Sequence, residues 1–288
     1  MHKEFSRKEK QHRVLNRSKS QMLPAISERE AEEFVVIVAG GCLLSANAGF
    51  INSATFLQSG YTVTHVTGAL TKASILLHDG GISDCGFVVL NILGFIFGSA
   101  VCATIITKQT FHLSRCYVNV FGLGTLLLLL SYLLYYSFPD RRDYVICVSI
   151  ACGMQNAMTT SYSGNVLRTT HMTGTATDIG IVLGRVLKGH YQDVWKLKLM
   201  VPMFISFFVG GLLAAVAFEE FAHNILIVNI ALFGGTGLMY VFYLLHAIAK
   251  FDLVENEDDD SFSESAGDRE EELDLDDYSS EENKNDQL

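Results

Sequence analysis

Residues 64–72 read THVTGALTK, and residues 170–178 read THMTGTATD. The skeleton T-H-x-T-G-x-x-T, closed by a charged residue, occurs twice in a chain that is otherwise largely apolar. How the two short segments behind these motifs are placed decides the fold. Just upstream, GFINS (49–53) and GMQNA (153–157) repeat a second pattern, G-x-x-N followed by a small residue. The two patterns keep their spacing to within two residues, and each copy sits in a long apolar segment followed by a short polar-led one. The order points to an internal duplication, with halves at about 34–137 and 144–249.

Charge is densest at the two ends. The first 33 residues are dense in Lys, Arg and Glu. The tail 255–288 holds 16 of the 31 acids, with Arg269 and Lys284 as its only bases. The body 1–254 then carries 19 bases against 15 acids, so the net charge of −10 says nothing about a substrate. Between the ends lie six apolar segments, near 34–57, 86–106, 117–137, 144–161, 199–218 and 224–248. Each is about 18–25 residues, enough to cross a bilayer core as a helix. The expected fold class is therefore all-α: a polytopic transmembrane helical bundle of six long helices and two short polar-led ones. Residues 1–33 read as a basic cytoplasmic extension rather than a signal peptide. The body 34–250 reads as the membrane domain, and 251–288 as an acidic cytoplasmic tail too poor in apolar residues to form a core.

The short segments 64–78 and 170–187 leave two topologies. If both cross, there are eight spans and the halves run in the same direction. If neither crosses, there are six and the halves are inverted; transporters use both plans. The second segment is long enough to span and ends in a basic loop, which favours eight. Both counts are even, so both termini are expected in the cytoplasm, at the plasma membrane or an endomembrane. The charge rule does not separate the counts. Eight puts 140–143 and the 185–198 loop inside. Six moves Arg141 and Arg142 out and brings Lys108 and Arg115 in.

A glycine-led polar motif in the first helix, then T-H-x-T-G, then GMQNA and THMTGTATDIG, resembles the YoaK-like family of multi-pass membrane proteins of unknown function. The resemblance spans roughly residues 34–250 and implies a multi-pass domain without supplying an activity. That family usually has Asp where this chain has Asn52, and often Asn where it has Ala69.

On a helix, residues at i, i+3 and i+7 share a face. His65, Gly68 and Lys72 form one stripe; His171, Gly174 and Asp178 form its copy. Thr67 and Thr173 lie on the neighbouring stripes. Polar groups at membrane depth are costly and are expected to face inward, with Gly68 and Gly174 allowing close helix packing. Together with Asn52 and Asn156 these residues are the candidate site for a small polar solute or ion. Lys72 and Asp178, as equivalent positions of opposite charge, are expected to pair. The competing reading makes the Thr and Asn residues interhelical glue and the chain a scaffold or sensor acting through its tails. The small-residue spacings Gly94/Gly98 and Gly180/Gly184 suit close helix approach, and a second copy of the chain is an open partner beside the lipid bilayer. No catalytic motif, cofactor motif or metal-ligand spacing is present, and the six cysteines read as inert packed thiols. No feature calls for nucleic acid.

Overall fold

The computed structural model describes residues 35, 38–106, 115–162 and 168–246. The terminal extension and the acidic tail, with the boundaries expected for them, lie outside the described residues. The described residues form an all-helical fold: α1 (38–59), α2 Val66–His78, α3 Ile82–Ile105, α4 Cys116–Ser137, α5 Tyr144–Tyr162, α6 Met172–Leu187, α7 Val194–Phe221 and α8 Ile225–His246. Helices α3, α4, α7 and α8 are each long and apolar enough to cross a membrane, with mean hydropathies of 1.8 to 2.3. The chain divides into a compact unit ending at Gly237 and a second beginning at Leu238. Of the second only 238–246 are described, with Leu238, Met239, Phe242 and Leu245 exposed.

Along much of α3 and the second half of α7, burial is inverted relative to a water-soluble protein. In α3 the buried positions include Asn91, Gly94, Gly98 and Cys102, whereas Leu90, Leu93 and Phe97 are exposed. In α7 Gly210 and Ala214 are buried and Phe208 and Leu212 are exposed. Lipid is as apolar as leucine, so large side chains gain nothing by turning inward; small residues face the neighbour because they let backbones approach. A Cβ on Gly98 would overlap the carbonyl oxygen of Ile150, and one on Gly153 would overlap that of Phe95. These contacts join α3 to α5. Gly49 meets Phe207 and Gly210 meets Ala46 in the same way, joining α1 to α7. Gly180 and Gly184 have nothing within 4 Å of a built Cβ. Of the two G-x-x-x-G spacings, only Gly94/Gly98 packs against another helix among the described residues.

These contacts fix the helix directions. Tyr61, just after α1, bonds Arg142, just before α5, while mid-helix Asn47 bonds Gln155 at 3.1 Å; α1 and α5 therefore run antiparallel. Gly94 meets Ile146 and Gly98 meets Ile150, so α3 runs parallel to α5. Gly41 meets Met203 and Gly49 meets Phe207, so α7 runs parallel to α1. Ser131 donates to the Tyr144 carbonyl at 3.1 Å and Tyr117 stacks edge-on with Tyr162, which makes α4 antiparallel to α5. Gly124 meets Phe233 and Gly237 meets Phe121, so α8 opposes α4.

This order of directions leaves α2 and α6 no room to cross. Each begins and ends toward the same end of the bundle. The eight-span arrangement favoured by the sequence would make α1 and α5 parallel, and they are not. The lengths agree: 13 and 16 residues extend only about 20 and 24 Å at 1.5 Å per residue, short of a bilayer core of about 30 Å. Gly60, at φ 73°, ends α1 with its amide bonded to the Phe56 carbonyl, and this left-handed residue turns the chain back toward the interior. At the far connection Lys196 and Arg185 hold the Asp193 carboxyl below the usual range, tying α6 to the start of α7.

Candidate functional site

Both short helices start in the same way. The Asn52 side-chain oxygen accepts hydrogen bonds from the backbone amides of Val63 and Thr64, at 3.2 and 3.1 Å. Asn156 accepts one from the amide of Thr170, at 3.3 Å. Thr64 and Thr170 are the first residues of the two repeated motifs, so each G-x-x-N asparagine pins the entry to the motif that follows it. Asn52 lies seven residues before the end of α1, so the chain is held about 10 Å back from that end. The motif's helix therefore starts inside the bundle.

The next residue of each motif is the helix N-cap. His65 (φ −104°, ψ 69°) and His171 (φ −91°, ψ 60°) have nearly the same backbone, and neither makes a side-chain cap bond. Their carbonyls take the first helical hydrogen bonds, from Ala69 and Thr175, both at 3.0 Å. Each imidazole lies against the glycine three residues on: a Cβ on Gly68 or Gly174 would overlap Nδ1 of its own histidine. The glycines were expected to admit a neighbouring helix. They instead make room for the imidazole. We expect Gly68→Ala or Gly174→Ala to displace the ring while changing stability little, since an exposed side chain can move aside. A shift of the imidazole NMR signals with an unchanged melting temperature checks this.

The polar stripes do not face inward as expected. His65, Thr67 and Lys72 are exposed on α2, which buries Ala69 and Ala73 instead. His171, Thr173 and Asp178 are exposed on α6, which buries Val182. Small side chains take the contact face, which leaves the polar stripe on the open side. Thr71 and Thr177 return their hydroxyls to the carbonyls of Thr67 and Thr173, at 3.1 and 3.0 Å. Arg168 stands 3.5 Å from His171 Nδ1.

The expected pair between Lys72 and Asp178 is absent. Lys72 Nζ donates to the Gly60 carbonyl at 3.0 Å and lies 4.0 Å over the Tyr61 ring. Asp178 is exposed on the helix that runs toward the other end. Matching motif positions would share one depth on parallel helices; on the oppositely directed α2 and α6 they lie toward opposite ends.

The open side of these helix starts adjoins a groove between α1 and α7. One part, of about 430 Å³, is lined by Ser53, Met172, Phe204, Phe207, Phe208, Gly211 and Leu212. A second, of about 300 Å³, is lined by Asn52, Ser53, Phe56, Leu57, Thr62, Gly211 and Ala215. Ser53 and Gly211 belong to both. The first residue of α6 and the asparagine that pins α2 thus border one groove. No group of three metal-ligating side chains occurs among the described residues. The sequence reading passed over Asn47 and Gln155, both buried where α1 crosses α5; Gln155 also donates to the Leu44 carbonyl at 2.6 Å. Its signal was present, a glutamine inside an apolar helix beside Asn156.

A family model described as a protein of unknown function, DUF1275, matches residues 40–239. The chain belongs to this family. The match covers the helices from α1 into α8 and leaves both charged tails outside. A family of unknown function agrees with what the motifs suggested, and its description does not give the YoaK-like name. No curated protein and no solved structure matches the chain. What can be said of a DUF1275 activity must therefore come from the site.

Proposed function

We propose that this multi-pass membrane protein moves a small polar or anionic solute, bound where the starts of α2 and α6 approach from opposite ends. The observation that carries the reading is the repeated helix start on two antiparallel helices. Each start presents first-turn amides without a side-chain cap, and a helix N-terminus carries partial positive charge. Half-helices with such ends at mid-depth are a recurrent transporter device.

An internal duplication with inverted halves supports the same reading. An offset of 104 residues relates Asn52 to Asn156, Gly49 to Gly153 and Ala46 to Ile150. An offset of 112 relates Phe95 to Phe207 and Gly98 to Gly210. The four glycine–carbonyl contacts are thus two contacts made twice. Inverted halves allow the two mouths to exchange conformations about a fixed site.

The orientation follows from charge. With six crossings, the described Arg115, Arg168, Arg185, Lys188, Lys196 and Lys198 fall at the end where α1 starts. Among the described residues only Lys72, Arg141 and Arg142 fall at the other, beside Asp79, Asp84, Asp140, Asp143, Glu219 and Glu220. The excess of Lys and Arg puts the first end in the cytoplasm. No catalytic step is part of this reading.

Thermal unfolding of the purified chain in detergent tests it. Small carboxylates and inorganic anions should raise the melting temperature in a concentration-dependent way, as any ligand of the folded state does, whereas matched cations should not. Asn52→Ala with Asn156→Ala should remove the effect, and the stabilising solute should enter liposomes that contain the protein. A chain stabilised by no solute, with no flux, would instead fit a scaffold acting through its tails.

A further inference from the structure

Tyr61 is held from several directions at the mouth opposite the start of α1. Its ring takes the Lys72 ammonium at 4.0 Å and the Arg142 guanidinium at 5.5 Å. Its hydroxyl accepts from Arg142 Nη1 at 2.6 Å and donates to Asp84 Oδ1 at 3.4 Å. Arg142 and Asp84 pair at 3.0 Å, and Phe87 meets the Tyr61 ring edge-on at 5.0 Å. The cluster joins four separate pieces of chain: the α1–α2 connection, α2, the start of α3 and the α4–α5 connection. The amide of Thr64, three residues beyond Tyr61, is one of the two that Asn52 holds.

Three features distinguish it from a permanent tie. The segment it fastens is bracketed by two left-handed glycines, Gly60 at φ 73° and Gly80 at φ 78°, which suit hinges. The Arg142–Asp84 side chains are 46% and 45% exposed, so water and salt compete for the pair. The cluster also has no copy. The motif offset of 106 residues (Thr64 to Thr170) matches Tyr61 to Leu167, and the offsets of 104 and 112 match Arg142, Asp84 and Phe87 to Val38, Lys196 and Leu199, residue types that cannot form it. A tie needed for folding alone would be expected in both halves of a duplicated bundle.

We propose that Tyr61, Arg142 and Asp84 form a latch that shuts this mouth over Asn52 and Thr64, and that residues 60–80 swing on Gly60 and Gly80 when it releases. The latch rests on the reading of the bundle as a solute pathway. Its test needs no solute. The half-exposed Cys42, Cys85, Cys116 and Cys147 are replaced, the buried Cys102 and Cys152 are kept, and Ser53→Cys places a thiol in the groove. Labelling by a membrane-impermeant maleimide is followed from each side of sealed vesicles, with Asp140→Cys reporting which side the latch faces. Arg142→Gln and Tyr61→Ala should each speed labelling from the latch side roughly tenfold, and Lys72→Gln should do so less. Rates within about twofold of the latched chain, in variants that remain monodisperse, overturn the latch. Labelling only from the opposite side, insensitive to all three variants, overturns the latch and leaves the pathway. A thiol unreachable from both sides in every background overturns both. Should the variants not fold, the latched chain itself decides: raising NaCl from about 0.05 to about 1 M screens the pair and should speed labelling several-fold, and an unchanged rate overturns the latch.

Discussion

Replacing Gly210 by alanine will collapse the yield of folded protein. The added methyl would overlap the backbone carbonyl of Ala46, and a backbone atom in a packed helix cannot step aside as a side-chain tip can. Overpacking of this kind costs about 1–3 kcal/mol, and occasionally more, because helix axes must separate. Gly98→Ala, against the carbonyl of Ile150, should be equally harmful, and the double variant should not be recovered at all. Gly180→Ala and Gly184→Ala, with nothing within 4 Å, should be neutral. Size-exclusion profiles of the four single variants, with melting temperatures in detergent, check the contrast. Equal losses at Gly180 and Gly210 would mean that the helix pairing described above is wrong.

The second large effect is at Asn52. Asn52→Leu strips a hydrogen-bond acceptor from two backbone amides, Val63 and Thr64, in a part of the chain with little water to replace it. A buried amide left unsatisfied costs about 1–3 kcal/mol, so the loss should be the sum for two. Among the described residues Asn156→Leu frees only the amide of Thr170, and it should cost about half as much. Asn52→Asp should be tolerated, because a carboxylate accepts from the same two amides and is favoured by them. On this account the position needs an acceptor aimed at two N–H groups. Melting temperatures ordered Asp near wild type, then Asn156→Leu, then Asn52→Leu, would bear this out. If Asn52→Asp melts as early as Asn52→Leu, the asparagine has a role the backbone bonds do not explain.

Much of the bundle is legible in the sequence. Long uncharged segments can only be satisfied as helices in lipid, because every backbone amide must find a partner within its own segment. The G-x-x-N and T-H-x-T-G motifs mark the two places where a short polar-led helix follows a longer one. The link between those two motifs, a side-chain amide gripping the backbone twelve or fourteen residues on, has no signature in residue spacing, since it depends on the chain reversing at Gly60.

The sequence by itself determined that the chain is helical, membrane-embedded, and polar at two matching places. It did so because hydropathy and motif spacing are local properties of the chain. Only the tertiary structure decided whether the short helices cross, which stripe of each faces its neighbours, and that Lys72 and Asp178 point to opposite ends. Those depend on the relative direction of α1 and α5. Direction is set by contacts such as Asn47 with Gln155, 108 residues apart, and no local pattern encodes whether two apolar helices meet parallel or antiparallel.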